Sequence, residues 1–257
     1  MPSRGAVALK TLLVISRLTF VPSNYFLFLR EVLDRAGEHV AGLALQDNVN
    51  ARQLAAIARL YQIGAPRLAT AMLGNTLALL GRRREGLFAK RGLPVLRFPS
   101  ANSEAMIAWV KEHGIDLIVN ARTRDIYRTP ILKAPRLGCI NVHHGLLPEE
   151  RGLNCDLFAL AEDRPAGFSI HVMTEKIDDG PILVKRVVAE PGEKDYLGYV
   201  KRASRVEGEA LGELLLDIAR RDALPKGEPN TTASPLYRKL RGTREEARWL
   251  RGRKVRI

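Results

Sequence analysis

Cysteine is scarce in this sequence: Cys139 and Cys155 are the only two in 257 residues. Two thiols cannot build a disulfide framework or a zinc ribbon, and no other ligand spacing suggests a metal site, so none is expected. Long apolar runs are missing as well. No stretch reaches the roughly 18 apolar residues that a membrane-spanning helix needs. The first residues hold no long apolar segment ending at a signal-cleavage site, so a cytoplasmic protein is expected. Acidic side chains are in deficit, 28 against 41 Lys and Arg, which leaves a net charge of +13. That excess could serve nucleic acid, a nucleotide-linked substrate or a membrane surface. A compositional bias toward arginine explains it equally well.

Apolar periodicity reads as an α/β protein. Thr11 to Ser16 (TLLVIS) has the length of a buried strand, and His39 to Leu45 reads as the next one. Between them, Asn24 to Ala36 carries Phe26, Leu29, Val32, Leu33 and Ala36 at helical spacing, with Asn24 as its expected cap. Strand, helix, strand at this spacing is a βαβ unit. The sheet should therefore be mainly parallel and twisted, with helices on both faces. Residues 50–90 read as a helical excursion. Its apolar segment from Leu68 to Leu80 ends at Arg82, Arg83 and Arg84, and packing on its own domain is favoured over a membrane or partner surface. Pro94 to Phe98 and Asp116 to Asn120 are further strands, separated by a helix from Ser103 to Glu112 with Ala105, Met106 and Trp109 inward. Tyr196 to Arg220 reads as a long amphipathic helix that serves the core. Met1 to Lys10 reads as a loose arm. The main unit should span 1–222, leaving 223–257 as a basic C-terminal extension.

The most informative stretch runs from Leu137 to Leu183. Cys139, Ile140 and Val142 suit a buried strand, which delivers Asn141 and His143 at i, i+2 on one face. Pro148 and Gly152 break that strand. A second apolar run, Phe168 to Met173, leads to a turn carrying Asp178, Asp179 and Gly180. An amide, an imidazole and a carboxylate meeting at strand ends have the chemistry of acyl transfer. The first two can hold a developing oxyanion, and the carboxylate can accept or relay a proton. His144 should point to the opposite face, and Asp179 reads as a turn residue.

The segments NVHHGLLP and IDDGPIL also resemble the catalytic domain of the folate-dependent formyltransferases, over about Asp116 to Val188. That family includes the glycinamide ribonucleotide, methionyl-tRNA and nucleotide-sugar formyltransferases. The resemblance implies a Rossmann-like formyltransferase fold and 10-formyltetrahydrofolate as formyl donor. It places Asn141, His143 and Asp178 in the three catalytic positions. It also places Arg124, Asp125, Ile126 and Tyr127, with Thr174, Glu175 and Lys176 across the cleft, around the pterin. Gly145 departs from the family's serine, which puts loop rigidity in question more than chemistry.

The resemblance narrows the acceptor by what the chain lacks. The loop after the first strand, SRLTFVPSN, has no glycine, whereas the family binds the phosphate of glycinamide ribonucleotide on a glycine-rich turn there. About 35 residues follow Asp222, too few for the β-barrel that methionyl-tRNA formyltransferases carry. The expectation is transfer of a formyl group to a small-molecule primary amine, for which the positive charge allows an anionic one, such as a nucleotide-linked amino sugar. A hydroxylated amino-acid side chain on a siderophore route is a further acceptor of this kind. Nucleic acid and peripheral membrane contact are less favoured partners. The alternatives are methionyl-tRNA formylation, hydrolysis of the folate, and a non-catalytic RNA- or membrane-surface-binding protein. Related hydrolases carry an N-terminal module for which this chain has no room.

Overall fold

The computed structural model describes residues 8–123, 125–239 and 241–257. Five parallel strands form the heart of the molecule: β1 (Thr11–Ser16), β2 (Val40–Gln46), β3 (Val95–Phe98), β4 (Leu117–Ala121) and β5 (Cys139–His143). A short strand, β6 (Glu150–Gly152), follows, and then β7 (Ala166–Val172) and β8 (Ile182–Ala189) extend the sheet antiparallel. The order across the sheet is β3-β2-β1-β4-β5-β7-β8. This is the mainly parallel sheet expected from the βαβ spacing, in the Rossmann-like form that the resemblance implies.

Both faces are covered, and strand alternation divides the side chains between them. Leu12 and Val14 of β1 pack with Met106 and Val110 of helix α5 (Glu104–Glu112). Leu13 and Ile15 face α1 (Phe26–Ala36) and the long α8 (Tyr196–Arg221). Phe28, Leu29 and Val32 of α1 are fully buried there, each stabilising the fold by about 1.5–3 kcal/mol. Gly208 and Gly212, one turn apart, let α8 lie close on α1. A Cβ at Gly208 would meet the Phe28 carbonyl oxygen at 2.6 Å, and one at Gly212 would meet Arg35 Cβ at 2.8 Å.

Three helices make the excursion between β2 and β3: α2 (Ala51–Ile63), α3 (Pro66–Ala78) and α4 (Arg83–Ala89). Polar side chains fasten it to the loop after β1. Asn75 Nδ2 donates to the carbonyls of Thr19 (2.8 Å) and Val21 (2.6 Å). Arg84 is buried and donates to the carbonyls of Ser16 (3.2 Å) and Asn24 (3.1 Å). Arg84, the third of three consecutive arginines, thus serves the backbone of this domain rather than a membrane surface. Among the described residues no helix is long and apolar enough to cross a membrane.

Several local expectations are corrected. Asn24 does not cap α1: it sits in a short 3₁₀ turn, Pro22–Tyr25, at φ 51, and Tyr25 occupies the cap without a side-chain bond. Its side chain accepts from Thr19 N (3.0 Å) and donates to Asn75 O (2.7 Å), so it pins the loop to α3. The arm is tied down by its last residues, with Leu9 buried and Lys10 N donating to Asp116 Oδ2 at 2.9 Å; residues 1–7 lie outside the described residues. In α5 the buried positions are Met106 and Val110, whereas Ala105 is exposed. Segment 223–257 folds back on the main unit. Its strand β9 (Leu236–Arg238) pairs with β6, and Leu250, Val255 and Ile257 around helix α9 (Arg244–Gly252) join the main core.

Candidate active site

The site is assembled by register. Asn120, Asn141 and His171 are paired across β4, β5 and β7, so three side chains stand in a row on one face near the carboxyl ends of the parallel strands. Open α/β sheets place ligands in that position. A hydrogen-bond chain orients the row. Thr123 Oγ1 donates to Asn120 Oδ1 (2.6 Å), and Asn120 Nδ2 donates to Asn141 Oδ1 (2.9 Å). With its oxygen engaged, Asn141 must present its NH₂ outward, and Nδ2 lies 3.2 Å from His171 Nε2. One amide hydrogen then serves His171 and the other is free for a substrate.

His143 follows Asn141 by two residues and shares its face. Its Nε2 lies 2.6 Å from the Glu150 carbonyl, so Nε2 must carry the hydrogen, and Nδ1 turns to Asp178 Oδ1 at 3.5 Å. His171 Nε2 is 3.5 Å from the same oxygen. Burial pushes the His143 imidazole below its ordinary value, while Asp178 draws it back up. Burial would raise the Asp178 carboxyl, but His143, His171 and the Gly152 N–H outweigh it and hold it down to about 2. Asp178 is therefore a fixed carboxylate, and its second oxygen accepts from Gly152 N at 2.9 Å.

The turn that carries Asp178 is held from below. Asp178 adopts a left-handed φ of 49, a conformation that surrounding contacts must hold in place. Asn230 supplies them, its Nδ2 donating to the carbonyls of Asp178 (3.0 Å) and Gly180 (2.9 Å). Arg151 bridges Asp179 Oδ1 (2.9 Å) and the Asn230 carbonyl (2.8 Å), so Asp179 anchors the turn through an ion pair. Gly180 leaves no room for a side chain, since a Cβ would lie 1.9 Å from the Val172 carbonyl oxygen. Gly145 is equally constrained. A Cβ there would come within 2.7 Å of His143 Nε2 and 2.8 Å of Cys155 Cβ. The His143–Glu150 hydrogen bond occupies the space that a serine would fill.

These groups open onto a cavity of about 500 Å³. Asn141, His143, Asp178, Asp125, Ile126, Tyr127, Thr174, Glu175 and Lys176 all line it, while Arg124 lies outside the described residues. Their duties differ. Ile126 is 60% exposed and Ile177 52%, and with Met173 they give the cavity apolar walls suited to a flat heteroaromatic ring. Asp125 is occupied in holding its loop, accepting from Ser100 Oγ and Ala101 N at 2.7 Å each. Tyr127 is buried in the second core cluster, Thr174 turns its hydroxyl to Lys176 N (3.2 Å), and Glu175 bonds Thr129.

Sequence reading passed over His171, Glu207, Asn230 and Ile177. His171 had a signal, because Ser169 and His171 alternate within FSIHV just as Asn141 and His143 do within their strand. Glu207 also had one: it falls on the apolar face of α8, four residues after Ala203 and four before Leu211, where a charge must be paired. It is buried against His144, whose Nδ1 lies 2.8 Å from Glu207 Oε1, and against Tyr25.

The sheet has a Rossmann-like strand order, with the polar cluster at the carboxyl edge of its parallel strands. The formyl transferase profile matches residues 83–215, just over half of the sequence, and the chain belongs to the formyl transferase family. A methionyl-tRNA formyltransferase from Myxococcus xanthus is 31% identical over 160 residues, covering 61% of this chain and 51% of that protein. The chain spans about half the length of the curated relatives it matches. In fold it is similar to glycinamide ribonucleotide transformylase 1 from Symbiobacterium toebii, with a TM-score of 0.59, 21% identity, and coverage of 89% of this chain and 95% of that one. It is also similar to a sugar N-formyltransferase from a Shewanella species, with a TM-score of 0.56, 20% identity, and coverage of 90% and 77%. The family's donor is a formyl-tetrahydrofolate.

Proposed function

We propose that this protein is an N-formyltransferase that moves a formyl group from 10-formyltetrahydrofolate to a primary amine. Residues 1–222 are its catalytic unit, and 223–257 is an extension that braces the Asp178 turn through Asn230. The observation that carries this reading is the cluster of Asn141, His143 and Asp178 facing one cavity with an apolar slot beside it. The folate supplies the formyl carbon. Asn141 Nδ2 donates to the oxygen that gains negative charge as the amine adds, a contribution of roughly 3 kcal/mol for one well-placed donor. The pair of His143 and Asp178 takes the proton that the amine sheds. Burial favours the neutral His143 imidazole that can accept that proton, and the fixed Asp178 carboxylate stabilises it once charged.

The acceptor we favour is a small molecule, an amino sugar linked to a nucleotide. Supporting this are the loop after β1, which has no glycine for a phosphate-binding turn, and the exposed Lys176 and Lys239 at the cavity, which suit an anionic diphosphate. Methionyl-tRNA is the second reading, favoured by the sequence similarity to methionyl-tRNA formyltransferases. The test is release of tetrahydrofolate from 10-formyltetrahydrofolate with nucleotide-linked amino sugars, with simple amines, with charged initiator tRNA, and with no acceptor. A His143→Ala protein serves as the blank. Turnover that needs an amino sugar and disappears in the blank is the expected result. Turnover with tRNA alone selects the second reading, turnover without acceptor makes the protein a hydrolase, and failure to bind the folate overturns the enzyme reading.

A further inference from the structure

Beside the catalytic row, residues on one wall of the cavity carry buried polar atoms that no described residue satisfies. Arg122, His144 and Asp156 all line it. The Arg122 side chain is 7% exposed and Asp156 1%. Arg122 Nε and Nη2, His144 Nε2 and Asp156 Oδ2 are buried and have no hydrogen-bond partner among the described residues. Leaving a buried polar atom unpaired costs about 1–3 kcal/mol. Four such atoms on one wall therefore mark a place where a ligand completes the bonding.

The chemistry of that ligand follows from the charges behind the wall. Glu207 is fully buried, and although burial would raise it, His144 and Arg122 keep it ionised. Its Oε1 lies 3.7 Å from Arg122 Nη2, so the guanidinium charge is already balanced. A second carboxylate, Asp156, adjoins the same groups. An incoming anion would meet Glu207 and Asp156 as well as Arg122, and would gain little. His144 Nδ1 must donate to Glu207, and burial with the nearby Arg122 keeps the imidazole neutral, which leaves Nε2 as an acceptor. The wall thus offers two donors on the Arg122 fork and two acceptors, His144 Nε2 and Asp156 Oδ2. Hydroxyl groups, each able to donate and accept, match that mixture. Phe20 lines the cavity with its ring 5.4 Å from Arg122 Cζ and gives an apolar face for the C–H side of a ring.

We propose that Arg122, His144 and Asp156 form the acceptor subsite and that it takes the neutral, hydroxyl-bearing ring of an amino sugar. This rests on the transferase reading above and adds the residues that select the acceptor. The test compares dissociation constants of three amines for the full chain by calorimetry. They are a 4-amino-4-deoxyhexopyranoside, cyclohexylamine of the same ring size without hydroxyls, and 4-aminocyclohexanecarboxylate. The unaltered protein should bind the hydroxylated ring about tenfold more tightly than cyclohexylamine, the ratio for one or two net hydrogen bonds. The carboxylate should gain nothing. In Arg122→Met and in Asp156→Asn, each checked for native circular dichroism, the ratio should fall to about threefold or less. Should Arg122→Met fail to fold, the isosteric Asp156→Asn carries the comparison alone. A ratio near one in the unaltered protein, a ratio unchanged in the folded variants, or preference for the carboxylate would overturn the proposal. Formyl transfer is assayed separately with the same amines. Selective binding without transfer leaves the subsite and removes the transferase, whereas transfer indifferent to hydroxyls does the reverse.

Discussion

Replacing Asp178 by Asn tests the electrostatics of the site through stability as well as turnover. The carboxyl is held down to about 2, well below its ordinary value of 3.8, by His143, His171 and the Gly152 N–H acting against burial. A depressed carboxylate stabilises the fold above its unfolded pKa, and that contribution is lost as pH falls through the folded value. The difference amounts to about 2.5 kcal/mol at neutral pH and about half of that at pH 3. Asp178→Asn keeps the size of the side chain and removes the charge. The variant should therefore be less stable than the parent by about 2.5 kcal/mol in urea unfolding at pH 7, and the gap should narrow steadily from pH 5 to pH 3. Turnover should fall by at least about a hundredfold, because His143 loses the partner that stabilises its charged form. Equal urea midpoints at pH 7, or a gap that does not change between pH 5 and pH 3, would refute the pairing. Near-parental turnover in the folded variant would remove Asp178 from the chemistry.

Asn141→Ala and His143→Ala should each cut turnover by at least about a hundredfold with normal folding, as measured by tetrahydrofolate release, since each removes a group placed at the developing charge. Gly145→Ala should destabilise by about 1–3 kcal/mol in urea unfolding, because its Cβ would lie 2.7 Å from His143 Nε2 and 3.0 Å from the Glu150 carbonyl oxygen. An unchanged midpoint would show that His143 is not held where it stands. Asn75→Ala should cost about 2–3 kcal/mol by the same assay, since it strips donors from the buried Thr19 and Val21 carbonyls. A loss under about 0.5 kcal/mol would mean that the excursion is not fastened there.

Most of the sheet could be read from the sequence because strand alternation and helix spacing are local. Thr11–Ser16 stands at the bounds that its apolar run suggests, and Tyr196–Arg221 extends one residue beyond them. That Asn141, His143 and Asp178 meet at one cavity could be anticipated for a different reason: their spacing within two short motifs resembles a family. What failed were inferences in which the deciding partner is distant in sequence. Asn24 has the composition of a helix cap, but Asn75, 51 residues away, offers it stronger bonds inside the fold. Arg84 looks like one charge of a basic cluster until the carbonyls of Ser16 and Asn24 are brought to it.

The same reasoning explains why the acceptor side of the cavity was harder to read than the catalytic side. The catalytic row follows from strand register, which the alternation of β5 and β7 already implies. The opposite wall depends on Arg122 at a left-handed φ of 59 at the end of β4, on His144 just past β5, and on Glu207 far along α8. No two of those positions share a motif. Each residue alone looks like a surface arginine, a strand-end histidine or a helix carboxylate. Only the close seating of α8 on the sheet brings them together. The proposed catalytic residues thus lie at fixed local spacing, while the proposed acceptor residues are ones that the fold must gather.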